Sequence, residues 1–87
     1  DLTGTILKGA DLTNANLSKV DLSGKDLTGA ILERAGLSNT NLTGVILEKA
    51  DLTNANLTGT NLTGADLTDA NLTGTILNCI GHPVCIQ

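Results

Sequence analysis

Leucine stands at every fifth position from Leu2 to Leu77, sixteen times without interruption. A period of five fits neither an α-helix, which repeats every 3.6 residues, nor a pleated strand, which repeats every two. The chain therefore reads as a coiled repeat rather than a layered domain. Two residues before the leucine stands a small residue in most units: Ala10, Ala15, Ala30, Ala35, Ala50, Ala55, Ala65 and Ala70, with Thr5, Thr40, Thr60 and Thr75. Val20, Val45 and Lys25 complete that column. The residue before each leucine is Asp or Asn in eleven of the sixteen units, and the residue after it is Thr or Ser in twelve. The next is Gly or Asn in eleven.

Each column has a physical reading. Leucine and the small residue two before it are the inward positions, large beside small, so that layers interlock. The other three positions face water. Gly and Asn two residues past the leucine tolerate positive φ, as a type II turn demands. A turn every five residues makes a corner, and four corners close a coil of twenty residues. Side one then carries Leu2, Leu22, Leu42 and Leu62; side two Leu7, Leu27, Leu47 and Leu67; side three Leu12, Leu32, Leu52 and Leu72; side four Leu17, Leu37, Leu57 and Leu77. Gly4, Gly24, Gly44 and Gly64 recur after side one, where the most regular turns are expected.

The units Ala10-Asp11-Leu12-Thr13-Asn14, Ala15-Asn16-Leu17-Ser18-Lys19, Ala50-Asp51-Leu52-Thr53-Asn54 and Ala65-Asp66-Leu67-Thr68-Asp69 resemble the A(D/N)LXX consensus of the pentapeptide-repeat family. The likeness covers residues 1 to about 79. It implies an all-β fold, a right-handed quadrilateral β-helix of four coils with four repeats each. The expected organisation is a β-helix over residues 1–79 and a C-terminal capping tail over 80–87. The resemblance also implies a bacterial, in particular a cyanobacterial, source, where many members have no known role. The chain departs from some members in having no Phe in the leucine column.

Composition narrows the function. A net charge of −4 argues against a basic nucleic-acid surface. No segment has the run of apolar residues that a membrane span needs. Asp1-Leu2-Thr3 begins inside a repeat with no Met, which suggests an excised fragment or a form matured by cleavage. The abundant Ser and Thr belong to the repeat, and the Asn-Leu-Ser/Thr triplets at Asn16, Asn41, Asn56, Asn61 and Asn71 are its by-products. There is no phosphate loop, no calcium loop and no catalytic constellation, so neither a cofactor nor an enzymatic activity is expected.

Breaks in the repeat are the candidate sites, because the scaffold does not require them. Isoleucine holds the outward position before the leucine at Ile6, Ile31, Ile46 and Ile76. Ile6 and Ile46 share side two with Asp26 between them, and Ile31 lies on side three; these three form a candidate interaction patch. Scattered apolar residues at strand positions are the plainer explanation. Lys25 falls in an inward column, so a backbone bulge is expected there, or a stem that snorkels toward Asp26. In the tail, Ile80, Val84 and Ile86 are placed to cover the last leucine layer. Cys79 and Cys85 are a candidate disulfide or a pair of free thiols. A metal site with His82 would be one ligand short of a structural zinc. A bonded pair would put the chain in an exported, periplasmic or thylakoid-lumenal setting; free thiols would suit the cytoplasm.

These readings favour a non-enzymatic interaction solenoid with an unidentified protein partner. The alternative, from certain relatives, is a DNA mimic that inhibits a type II topoisomerase. Short length, absent Phe and dispersed acids all weigh against it. End-to-end self-association is also expected, through a first coil left open at Leu2, Leu7, Leu12 and Leu17.

Overall fold

The computed structural model describes residues 6–85. Leu2, the Asp1 and Gly4 positions of side one, and Ile86 lie outside them. Parallel bridges join residues twenty apart, from Asp11↔Ile31 and Asn16↔Gly36 through Asp51↔Asn71 and Asn56↔Ile76. The chain is a β-helical solenoid with a twenty-residue coil. Among the described residues its pairing consists of isolated bridges, and no continuous strand forms. The physical reason is the turn: a corner every five residues leaves only the residue before the leucine in bridged geometry.

Each corner is a turn closed from the small residue's amide to the leucine carbonyl, as from Ala30 to Leu27 at 2.9 Å. Every corner residue from Gly9 to Gly74 has positive φ, whether glycine or not: 69° at Gly24, 57° at Arg34 and 61° at Lys49. Side one's glycine corners are therefore no more regular than the others. The turn is imposed by the coil, and a non-glycine residue accepts the left-handed conformation to keep it.

Leucine and the small residue point inward, as the alternation of large and small implies. Leu22, Leu27, Leu32, Leu37, Leu42, Leu47, Leu52, Leu57 and Leu62 are sealed, packed with Ala30, Ala35, Val45, Ala50 and Ala55. Thr40 and Thr60 also lie inside, and their hydroxyls donate to the Leu17 and Leu37 carbonyls at 2.8 and 2.6 Å. Among the described residues no buried side-chain polar atom lacks a partner. Toward the ends the seal loosens: Leu12 and Leu17, then Leu67, Leu72 and Leu77, are half-buried, although Leu7 in the first coil stays buried.

Lys25 does not bulge the backbone. Its turn to Leu22 closes at 3.1 Å, and its carbonyl accepts from Ile46 at 2.9 Å in ordinary register. The side chain is half-buried and its charge is felt at Asp21, with no ion pair to Asp26. A long stem lets the amine leave the core while the coil keeps its geometry.

Candidate functional site

The outward surface is built by a bond that the sequence reading attributed only to solvent. At every Asp or Asn before a leucine, from Asp11 to Asn71, the side-chain oxygen accepts the amide two residues on; Thr13 donates to Asp11 at 3.1 Å and Thr53 to Asp51 at 2.9 Å. The hydroxyl of the same Thr or Ser usually donates to the same oxygen, at 2.6 Å in the Asp11 pair and 2.7 Å in the Asn61 pair. Each unit with Asp or Asn before its leucine thus locks its own turn, an Asx motif that a hydroxyl reinforces in all but the Asn16 unit among the described residues. The signal stood in the sequence. All eleven Asp or Asn at this position are followed two residues later by Thr or Ser, whereas Ile6, Ile31, Ile46 and Ile76 are followed by Lys8, Glu33, Glu48 and Asn78.

The same bonds set the electrostatics. Hydroxyl donation from Thr13, Thr28, Thr53 and Thr68, with their amides second, holds Asp11, Asp26, Asp51 and Asp66 below the usual carboxylate range. Ser23 does the same for Asp21, with a smaller contribution from Lys25. These carboxylates stay ionised near neutral pH and are poor proton donors there.

The candidate patch is not a continuous apolar surface. Ile31 bridges Asp11 in one neighbouring coil and Asp51 in the other. Ile46 bridges Asp26 and Asp66. Two axial Asp–Ile–Asp triplets therefore stand on adjacent sides, each an apolar knob between carboxylates. Ile6 is 86% exposed, in the first coil of side two, two coils from Ile46. Ile76 bridges Asn56 on side four.

At the C-terminal end the coil loses one residue. Ile80 bridges Asn61, nineteen residues back rather than twenty, so Cys79 drops into the small inward column above Thr60 and is 2% exposed. Ile80 becomes an outward residue, 55% exposed, and does not cover the last leucine layer as the sequence suggested. Val84 and Cys85 pack against the core instead. Cys79 and Cys85 are joined, with S–S 2.07 Å, which leaves no thiolate for a metal. His82 turns the tail, its Nδ1 accepting from the Val84 amide at 3.2 Å and its carbonyl from Cys85 at 3.0 Å. Gly81 has φ +87°, and a Cβ there would lie 2.7 Å from the Thr63 nitrogen. Among the described residues no group of three His, Cys, Asp or Glu could hold a metal ion, and no helix is long and apolar enough to cross a membrane.

A sequence profile of pentapeptide repeats matches residues 1–34 and 35–74, in 8 copies. The chain belongs to the pentapeptide-repeat family. No curated protein matches it closely. Among solved structures, a pentapeptide-repeat protein of Nostoc PCC 7120 is similar at 41% identity, over 83% of this chain and 66% of that one, with TM-score 0.47. HetL, a pentapeptide-repeat protein involved in heterocyst differentiation regulation in Nostoc sp. strain PCC 7120, is 30% identical over 93% of this chain and 48% of its own, with TM-score 0.49. A pentapeptide-repeat protein of the Arabidopsis thaliana thylakoid lumen is 24% identical over 94% of this chain and 72% of that one, with TM-score 0.49. The chain thus spans about two thirds of the first Nostoc relative and about half of HetL. The relatives in this pentapeptide-repeat set are cyanobacterial and plant proteins of varied roles.

Proposed function

We propose that this pentapeptide-repeat chain is a non-enzymatic scaffold that docks a protein partner across sides two and three. The observation that carries the reading is the pair of Asp–Ile–Asp triplets at Ile31 and Ile46. An apolar knob between two carboxylates suits a pocket with an apolar floor and a basic rim, the usual layout of a small interface centre. Ile6, farther along side two, extends the same surface. In the Asp–Thr and Asp–Ser locks the hydroxyl is held by the carboxylate and the carboxylate is kept ionised near neutral pH, which suits a surface for binding rather than for proton transfer. In this reading the coil is right-handed and four-sided, one corner to every five residues. The bonded cysteines favour an oxidising compartment.

The test is affinity capture from a lysate of the source organism with three baits. They are the native chain, an Ile31→Asp, Ile46→Asp variant, and an Ile6→Asp variant. A partner held by the first, lost by the second and weakened by the third supports the reading. A partner held equally by all three rejects these sides as the surface. A turnover that disappears on changing a single outward residue rejects the non-enzymatic assignment.

A further inference from the structure

The outward position before each leucine holds Asp or Asn in eleven units, Ile in four and glycine in one, at Gly36. The fold does not ask for glycine there. Its backbone lies outside the left-handed region, and an added Cβ would find its nearest neighbours, Asn16 Oδ1 and Ser18 Oγ, at an ordinary 3.8 Å. Glycine at a bridged position costs chain entropy and packs nothing. Its effect is to remove a side chain between Asn16 and Asn56, which bridge Gly36 from the coils on either side. Side four therefore carries a notch.

Donors rim the notch. Asn16 and Asn56 use their side-chain oxygens to accept the Ser18 and Thr58 amides, at 3.1 and 3.0 Å, and neither Nδ2 has an acceptor among the described residues. Side three carries the complement. Ile31, 38% exposed, stands between Asp11 and Asp51. In each of those carboxylates Oδ1 takes both bonds of the lock, from the amide and the hydroxyl of Thr13 or Thr53, so Oδ2 is left for an outside donor. Knob and notch span the same three coils at the same twenty-residue spacing. A second copy thus presents its Asn donors at the intervals of the first copy's carboxylates.

Charge selects the orientation. With the two axes parallel, both chains wind the same way and so run oppositely across the contact. Glu33, two residues past Ile31, then faces the second copy's Arg34, two residues before Gly36; both side chains are exposed. With the axes antiparallel, Glu33 would face Ser38 and the charges would stay unmatched. We infer that the Ile31 knob of one copy docks in the Gly36 notch of a second copy, Asp11 and Asp51 accepting from Asn16 and Asn56, and Glu33 pairing with Arg34. The inference rests on the four-sided docking reading above and names the partner of the Ile31 triplet. Sides three and four meet at a corner, so each copy is turned a quarter-turn from the last, and a fourth copy returns to the first with no knob or notch left over. The climb from Ile31 to Gly36 is roughly 1 Å, a quarter of the strand spacing, which a slight tilt absorbs. Each contact is small, and closure supplies two per copy. Ile46 lies on side two, opposite the notch, and would build an open row instead.

Sedimentation velocity of the 87-residue chain from micromolar to millimolar concentration tests this, with circular dichroism and thermal melting to check the fold of each variant. The native chain should pass from monomer to tetramer as concentration rises. Gly36→Ile and Ile31→Gly should each stay monomeric, and Gly36→Ile should melt no lower than the native monomer. Ile46→Gly should associate like the native chain. The double variant Ile31→Gly, Gly36→Ile exchanges knob and notch between the two sides and should regain the tetramer. A folded double variant that stays monomeric overturns the proposal. So does a native chain that stops at a dimer, a Gly36→Ile variant that associates like the native chain, or an association that needs Ile46 rather than Ile31. A native chain that is monomeric throughout overturns the self-contact alone, because capture with the Ile31→Asp, Ile46→Asp bait judges the docking of another protein separately.

Discussion

Leu52 and Leu72 occupy the same column one coil apart; the first is sealed and the second half-buried. Their local sequences barely differ, Asp51-Leu52-Thr53-Asn54 against Asn71-Leu72-Thr73-Gly74, and both units carry the same Asx lock. The difference comes from the neighbours. Leu52 has a coil on each side, whereas Leu72 has one coil and part of a tail. In a solenoid the unit supplies the shape and the stack supplies the burial, so identical residues contribute unequally by position alone.

Leu52→Ala should sharpen the contrast most, with a loss of about 3 kcal/mol from the emptied core, while Leu72→Ala should lose about half as much. Urea denaturation of the two variants measures both, and equal losses would break the comparison. The next largest effect should come from the end itself. Reducing Cys79–Cys85, or replacing Cys85 by serine, should lower stability by about 2 kcal/mol, since the bond closes a short loop in the unfolded chain. A melting temperature indifferent to dithiothreitol would show that the tail is no part of the cooperative unit.

Smaller effects separate inner from outer hydrogen bonds. Thr60→Val removes a buried hydroxyl from the Leu37 carbonyl and should cost about 1 kcal/mol. Thr75→Val removes the matching bond to Leu52 at a half-buried position, where water can replace it, and should cost less. Chemical denaturation of this pair is the check.

The smallest change belongs to the outer carboxylates. Their folded values lie below the unfolded ones, so the unfolded chain binds more protons as acid is added. The stabilisation they provide should be complete above a pH of about 4 and fall away as pH drops through the folded values. Asp51→Asn keeps the acceptor oxygen but removes one titration, so its melting curve should match the parent at neutral pH and decline less steeply in acid. An unchanged acid slope would show that the ionisation of Asp51 contributes nothing to stability.

The coil was legible because leucine and its small companion repeat at a spacing that only a turn-rich stack explains. The corners were legible too, though not their uniformity. Arg34 and Lys49 adopt positive φ because the coil demands it, and no single-residue preference announces that. The pairing of Asp or Asn with Thr or Ser was present in eleven of the sixteen units but looked like two independent polar columns. Its meaning lies in a hydrogen bond across the leucine, which periodicity cannot distinguish from solvation. The Cys79 position was hidden for a different reason. One residue is missing between Leu77 and Ile80, and a register slip shows only when the carbonyl on the neighbouring coil is known. The candidate patch was half legible: the isoleucines stood out, but their carboxylate neighbours come from coils above and below.

Because each turn lock closes within its own five residues, the unit is also a coin of inheritance. Duplicating or deleting one unit leaves every remaining lock intact, yet it rotates all later side chains by a quarter of the circumference. Ile46 would leave side two for the next side round, and Asp66 would move with it, while the Asp11–Ile31 neighbourhood stayed behind. Only gains or losses of twenty residues preserve each surface in its compass direction. Lineages of this chain should therefore drift freely in length by fives where no surface matters, and by twenties where one does.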